Sequence, residues 1–408
     1  LNTAPRRDPQ TLRRFYDEIF AAIPPPFAFV DLDALRANAG QMLGQADGLP
    51  IRVASKSVRS LPVLRRIFAL DDRFRGILSF TLPEALYLAD EGFEDIFVGY
   101  PTTDARALED LAAFAAKRPG AHPALMVDDP AQLDLIEAAA EPMGAVVRVA
   151  IDIDPSWWPG GGRLAKIGPK RSPIRTPEQA RRLAEEVERR RGTRLVGAMA
   201  YEGHIAGVGD EIAGRPLRSA AIRFMQARSE RELAVRLPEV IGAIRSIAEL
   251  EWVNCGGTGS LARSAELGVA TELTAGSGFY APALFDSYRS LNLTPAAMFC
   301  LPVTRKPDPA TATALGGGYV ASGAPGGDRL PVPYLPPGLH LDRDEGAGEV
   351  QTPLRGAAAA ELRPGDRVYF RHAKAGELCE RFDSLYLVEG GRIVDEAPTY
   401  RGAGKAFL

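Results

Sequence analysis

Cysteine is scarce in this chain, and positive charge is not in excess. Only Cys255, Cys300 and Cys379 occur among 408 residues, far apart in sequence. Three scattered thiols do not make a disulfide framework, so a reducing cytoplasm is the expected compartment. Lysine and arginine number 49 against 52 acidic residues, for a formal net charge of -3. With no basic surplus to hold phosphate backbones, nucleic acid is excluded as the main partner. The arginine-rich run Arg181 to Arg194 is interleaved with Glu185, Glu186 and Glu188 and reads as a solvated helix face. No apolar run is long enough to span a bilayer, so no membrane partner is expected. The segment Leu1 to Asp8 lacks the apolar core of a signal peptide. Internal repeats and low-complexity tracts are absent as well.

What remains is an ordinary globular composition, 46% hydrophobic and 25% charged, in a chain long enough for two domains. Between Pro9 and Ile23, Leu12, Phe15, Ile19 and Phe20 recur at helical spacing, and Pro24-Pro25-Pro26 stops the pattern. Phe27-Ala-Phe-Val-Asp-Leu-Asp reads as a strand, followed by a helix from about Asp33 to Gln45 with Asp33 as N-cap. Short apolar or β-branched runs then fall at Ile51–Ser55, Gly76–Phe80, Ile96–Gly99, Ala124–Val127, Val146–Ile151, Leu195–Tyr201, Trp252–Cys255 and Thr271–Thr274. Helical patterns lie between most of them, among them Pro83–Glu91, Asp104–Ala116, Pro130–Ala140, Pro177–Arg191 and Ser219–Leu250. Eight strands separated by helices imply parallel pairing and a (β/α)8 TIM-type barrel, with an open doubly wound sheet as the alternative.

Beyond Leu291 glycine and proline become frequent and helical periodicity fades. Strand-like pieces at Ala297–Val303, Val350–Pro353, Arg367–Phe370 and Ser384–Val388 indicate a smaller, mostly β C-terminal domain. The expected division is therefore 33–288 for the barrel and 289–408 for the β domain, with 1–32 joining the latter.

In such a barrel, function gathers where the strands end. Lys56, in Ser55-Lys56-Ser57, follows the first strand and would point its amine into the cavity above the sheet. Asp152 and Asp154 follow the fifth, before a loop ending Lys166-Ile-Gly-Pro-Lys-Arg-Ser. Tyr201-Glu-Gly-His204 follows the sixth. Gly256-Gly257-Thr258-Gly259-Ser260 follows the seventh, and Gly276-Ser277-Gly278 the last. The Gly-Gly-Thr-Gly-Ser loop is either a phosphate cradle of backbone N–H groups and hydroxyls or a tight turn that needs glycine. It is neither a Walker loop nor the dinucleotide fingerprint. Tyr201 and His204 are rings able to pack on a flat cofactor. An amine, a phosphate cradle and ring partners on one rim suit pyridoxal phosphate (PLP).

Val30-Asp-Leu-Asp-Ala-Leu-Arg-Ala-Asn followed by Ala54-Ser-Lys-Ser resembles the opening of the alanine racemase-like PLP enzymes of fold type III. Tyr201-Glu-Gly-His, Gly256-Gly-Thr-Gly-Ser and Gly276-Ser-Gly resemble the D-threonine aldolase and D-serine dehydratase branch. The resemblance spans most of the chain. It implies a PLP-dependent lyase acting on a β-hydroxy D-amino acid, by retro-aldol cleavage or dehydration, with the active site at a homodimer interface. An amino-acid racemase and a non-catalytic PLP-binding protein are the alternatives.

By position, the resemblance makes Lys56 the lysine that holds the cofactor covalently and sets Tyr201 near the pyridine nitrogen. Gly256, Gly257, Thr258, Gly276 and Ser277 would hold the phosphate, and Arg171, with Arg163 as alternative, would sit by the ring oxygen. Part of the branch binds a divalent metal through a C-terminal histidine and a cysteine or aspartate two residues later. Here His372 matches but Lys374 stands at the second place. The expectation is a zinc or manganese ion on His372 and Cys379, or else direct action of His372 on the substrate's β-hydroxyl.

Overall fold

A computed structural model describes residues 8–118 and 120–408. Most of the Leu1 to Asp8 segment therefore lies outside the described residues. The chain opens on a helix, Pro9–Ile19, whose N-cap Asp8 accepts from the N–H groups of Gln10 and Thr11. Strand β1, Phe27–Asp31, follows. The next helix runs Leu32–Gln45 and is capped by Asp31, not Asp33: the Asp31 carboxylate accepts from the Ala34 N–H at 3.0 Å. Asp33 lies within the first turn and pairs instead with Arg36.

Eight parallel strands then close a barrel. They are β2 (Ile51–Ala54), β3 (Phe74–Ser79), β4 (Ile96–Val98), β5 (Ala124–Val127), β6 (Val147–Asp152), β7 (Thr193–Ala200), β8 (Trp252–Cys255) and β9 (Glu272–Ala275). Closure is the pairing of β9 with β2, Ile51 opposite Leu273, which rules out an open sheet. Four of the intervening helices begin on side chains that cap them. Thr81, Asp104, Asp129 and Thr176 each accept an N–H of the first turn, and Thr176 forms a capping box with Gln179. The apolar faces of these helices and the strands share one continuous buried core. Among the described residues, no helix is long and apolar enough to cross a membrane.

The remaining strands are β10 (Ala297–Asp308), β11 (Thr311–Leu315), β12 (Val332–Leu335), β13 (His340–Leu341), β14 (Gln351–Arg355), β15 (Arg367–Arg371), β16 (Ser384–Glu389) and β17 (Arg392–Pro398). With β1 they form a nine-stranded sheet in the order β13-β14-β11-β10-β1-β16-β17, and β15 joins β10 to β12. Strand β1 pairs antiparallel with β10 and parallel with β16, so the amino-terminal strand is internal to this second sheet. Aromatic rings of Tyr16, Phe20, Phe27, Phe29 and Tyr369 fill its own core. Segments of the sheet domain reach the barrel mouth, where Ala283 and Leu284 donate N–H groups to the carbonyls of His372 and Ala373.

Candidate active site

Strand β2 ends at Ala54, and Ser55-Lys56-Ser57 forms a single tight helical turn at its C-terminal end. The Ser55 hydroxyl donates to the Leu78 carbonyl at 3.2 Å and ties that turn to β3. Lys56 is thereby projected into a cavity of about 250 Å3 at the barrel mouth. Its Nζ donates to the Tyr100 hydroxyl at 2.9 Å. Burial alone would raise the Tyr100 phenol, but the charges of Lys56, then Arg171 and Lys374, hold it below its ordinary value. Tyr100 comes two residues after β4, a strand end that carries no sequence motif, so sequence reasoning misses it.

The glycine loops form another part of the wall. Gly256, Gly257, Thr258, Gly276 and Ser277 all line the cavity with Lys56, Arg171 and Tyr201. The loop after β8 is fastened to Glu202, a buried carboxylate that accepts from the Gly256 N–H at 3.3 Å and from the hydroxyls of Ser260 and Ser264. The Gly257 N–H is taken by the Ser260 hydroxyl. These two N–H groups therefore hold the loop's shape and do not converge on the cavity, a correction to the cradle expected from sequence. What faces the cavity are hydroxyls. Thr258 Oγ1 accepts from the Gly278 N–H at 3.1 Å, which joins the β8 and β9 loops and leaves the threonine proton free to donate.

Glycine is needed at two of these places for close approach. A Cβ on Gly257 would lie 3.0 Å from the Tyr201 ring, and one on Gly276 would lie 2.7 Å from the Ala54 carbonyl oxygen. The first contact lets the aromatic ring sit against the loop. The second brings the ends of β9 and β2 together.

Arg171 lies over both tyrosines, its guanidinium carbon 5.3 Å from the Tyr201 ring centre and 5.7 Å from that of Tyr100. Burial pushes the Tyr201 hydroxyl up to about 12, with Arg171 pulling the other way. Arg163, the alternative to Arg171, is not part of the wall. Two further cations line the cavity from the sheet domain, Arg329 and Lys374, and among the described residues no aspartate or glutamate does. Arg329 sits in a Gly-rich loop, and nothing in the sequence distinguishes it.

Three expected residues are placed elsewhere. His204 turns to the long helix Pro216–Arg245, where its Nε2 is 2.5 Å from the Ser229 hydroxyl; burial lowers its pKa to about 4, so the ring is neutral. It does not line the cavity, which corrects its reading as a cofactor contact. His372 is also buried outside the cavity wall, edge-on to Tyr280. Its Nδ1 is 3.1 Å from the Ala297 carbonyl, which can only accept, so Nδ1 carries the proton. The bare Nε2 is buried without a partner among the described residues. Burial, then Arg371, lowers this histidine's pKa to about 4.

Cys379 donates its thiol to the Val58 carbonyl at 3.3 Å, and burial pushes it up to about 12. A protonated thiol already engaged with a carbonyl is a poor metal ligand. Among the described residues, no group of three or more histidine, cysteine or acidic side chains is arranged to hold a metal ion. The His372 and Cys379 donor set therefore does not fit the expected zinc or manganese. Elemental analysis of the purified protein and of Cys379→Ala should give the same metal content. Loss of a stoichiometric ion on that substitution would identify the thiol as a ligand.

Comparison with known proteins agrees with this fold. The family described as "Alanine racemase, N-terminal domain" matches residues 30–255, more than half of the chain, and the chain belongs to that family. Its members bind PLP. Among solved structures, D-threonine aldolase from Filomicrobium marinum superposes with a TM-score of 0.75 at 23% identity, over 94% of this chain and 96% of the other. D-threo-3-hydroxyaspartate dehydratase from Delftia sp. HT23 gives 0.72 at 20% identity, over 93% and 98%. Alanine racemase from Bacillus anthracis gives 0.62 at 14%, over 93% and 99%. At these identities the likeness is one of fold. No curated protein sequence matches the chain.

Proposed function

We propose that the chain is a PLP-dependent lyase that acts on a β-hydroxy D-amino acid. The observation that carries this reading is the Lys56 amine, held 2.9 Å from the Tyr100 hydroxyl in a cavity walled by glycine-rich strand ends, with Asp128, Asp152 and Asp154 in the adjoining cavity that shares Tyr100, Arg171 and Tyr201. An amine in such a place suits covalent capture of a carbonyl cofactor. The fold it shares with an aldolase and a dehydratase for β-hydroxy D-amino acids supports the same reading.

The cavity fits PLP by the chemistry of its wall. Lys56 would hold it covalently, the Thr258 and Ser277 hydroxyls would donate to its phosphate, and Arg171 would offset negative charge at the ring oxygen. Tyr201 would pack beside the pyridine nitrogen. Its hydroxyl stays protonated through the physiological range, since burial pushes it up to about 12. The chemistry the cofactor supplies when bound is an electron sink for the pair left at Cα.

The chain's own residues do the rest. Tyr100 orients the Lys56 amine. For dehydration, that amine accepts the Cα proton, the Cβ–O bond breaks, and the departing hydroxide takes up that proton and leaves as water. For retro-aldol cleavage, the β-hydroxyl gives up its proton, the Cα–Cβ bond breaks, Cα takes up a proton in place of the lost carbon, and an aldehyde and glycine are released. Lys374 is the cavity group from the segment that also carries His372. His372 itself is buried outside that wall, so it is not assigned the β-hydroxyl role expected for it from the sequence. No step is routed through a metal.

A substrate panel tests the reading. D-threonine and D-threo-3-hydroxyaspartate should yield an aldehyde or ammonia, whereas D-alanine should not racemise. Racemisation of alanine without cleavage of either hydroxy acid would overturn it in favour of the racemase.

The phosphate contact is tested separately. Thr258→Val removes one hydroxyl donor, and with it the oxygen that accepts from the Gly278 N–H; Thr258→Ser, which keeps both, is the control. A hydrogen bond to a charged group contributes about 1.5–3 kcal/mol, so PLP affinity should fall roughly tenfold to a hundredfold. Equilibrium dialysis of the reconstituted protein measures it. Unchanged affinity would remove Thr258 from the phosphate site.

A further inference from the structure

The cavity wall carries Lys56, Arg171, Arg329 and Lys374 and, among the described residues, no acidic side chain. Lys56 and Arg171 stand on the barrel side with Tyr100 and Tyr201. Arg329 and Lys374 come from the sheet domain, and the loop between β11 and β12 backs them both. Ser322 on that loop lies 3.3 Å from Lys374 Nζ, and its N–H donates to Glu377 at 3.0 Å. A Cβ on Gly323 would lie 3.0 Å from Arg329 Nε, so the guanidinium rests against that turn.

Arg329 lacks the partners its burial calls for. Its Nε and Nη1 are buried and have no hydrogen-bond partner among the described residues. The Asp328 carboxylate is 3.7 Å away, beyond hydrogen-bond reach, and largely exposed. Buried guanidinium donors are normally paired, and their planar fork matches a carboxylate. Lys374 is held below its ordinary pKa by burial and by the charges of Lys56 and Arg329, against the pull of Glu377. Arg329 is therefore arranged for an anion that no described residue provides, with the Lys374 ammonium on the same wall.

We infer that Arg329 and Lys374 select a β-hydroxy amino acid with a second carboxylate, Lys374 taking the α-carboxylate and Arg329 the one on the side chain. The inference rests on the lyase reading above. The phosphate and ring oxygen of the cofactor are met by the hydroxyl-bearing loops and Arg171, which leaves two cations for the substrate. A β-hydroxy monocarboxylic acid such as threonine would satisfy only one. Lys374 takes the α-carboxylate because its segment packs on the Lys56 turn, where Cα must lie: a Cβ on Gly376 would be 2.6 Å from the Lys56 carbonyl oxygen. Arg329 reaches the wall from the loop between β11 and β12.

The test uses the PLP-loaded protein. Its kcat/KM for D-threo-3-hydroxyaspartate should exceed that for D-threonine at least a hundredfold. Arg329→Gln should collapse that ratio at least thirtyfold, mainly through the KM of the diacid, and Arg329→Lys should restore part of it. Independently of turnover, succinate should raise the thermal midpoint of the wild type at concentrations tenfold below those at which butyrate does so, and Arg329→Gln should erase the difference. D-threonine cleaved as efficiently as the diacid, or succinate and butyrate acting alike, would overturn the inference and leave the lyase reading standing. A protein that cleaves neither hydroxy acid would overturn both.

Discussion

Replacing Lys56 by alanine should abolish lyase turnover by at least about 10³-fold, within the range for loss of a side chain that transfers a proton in the rate-determining chemistry. Two functions disappear together, because the same amine would hold the cofactor and accept the Cα proton. The fold should survive. Lys56 is half-buried at the cavity wall, and its polar side-chain contact is the Tyr100 hydroxyl. The far-ultraviolet spectrum of Lys56→Ala should therefore match the wild type, while the visible absorbance of bound PLP is lost on dialysis. Retention of that absorbance and of activity would place the anchoring amine elsewhere.

The second large effect is on stability. Arg52 on β2 is almost wholly enclosed in the barrel, 1% exposed. Its Nε donates to Glu272 at 2.6 Å and its Nη2 to the other oxygen of the same carboxylate at 2.9 Å. Nη2 also reaches the Asp95 carboxylate at 3.0 Å, and Nη1 the Asp95 carbonyl at 2.7 Å. Asn254 and Thr274 continue the chain of contacts from Glu272. The strands β2, β8 and β9 are thus joined by one buried polar network.

Arg52→Ala would leave the Glu272 carboxylate buried and unpaired, at a cost of about 3–5 kcal/mol. Urea denaturation should show this as a lowered midpoint. The double variant Arg52→Met with Glu272→Leu should recover much of the loss, since it removes both charges together. A single-variant loss under about 1 kcal/mol would show that water or relaxation satisfies Glu272, and that the network does not hold the barrel closed.

The barrel is legible in the sequence because its strands are short apolar runs set apart by capped helices. Runs expected at Ala124–Val127 and Trp252–Cys255 are strands with those bounds. The helix after β1 has a different cap from the one expected because Asp31-Leu-Asp33 offers two carboxylates within reach of one helix start. The end of the strand decides between them. The sheet domain is only half legible. Strands β11, β12, β13 and β17 are short or polar, and β12 is defined by a partner distant in sequence, Val332 lying opposite Arg371.

The site divides along the same line. Lys56, Arg171, Tyr201 and the two glycine loops can be found because each follows a recognisable barrel strand, and they do line one cavity. His204 and Cys379 are misjudged from sequence because residue type and position do not state which way a side chain turns. His204 faces Ser229 and Cys379 faces Val58. Tyr100 and Arg329 have no motif at all. Their meaning arises only when the barrel and the sheet domain bring them beside Lys56 and Lys374.

Lys56 is the residue we propose to carry PLP. Borohydride reduction of the purified, PLP-loaded protein, followed by peptide mapping, tests it most directly. The reading predicts a pyridoxyl group on the peptide containing Ser55-Lys56-Ser57, at a stoichiometry near one per chain. A pyridoxyl group on Lys166, Lys170 or Lys374, or on no lysine, would contradict it.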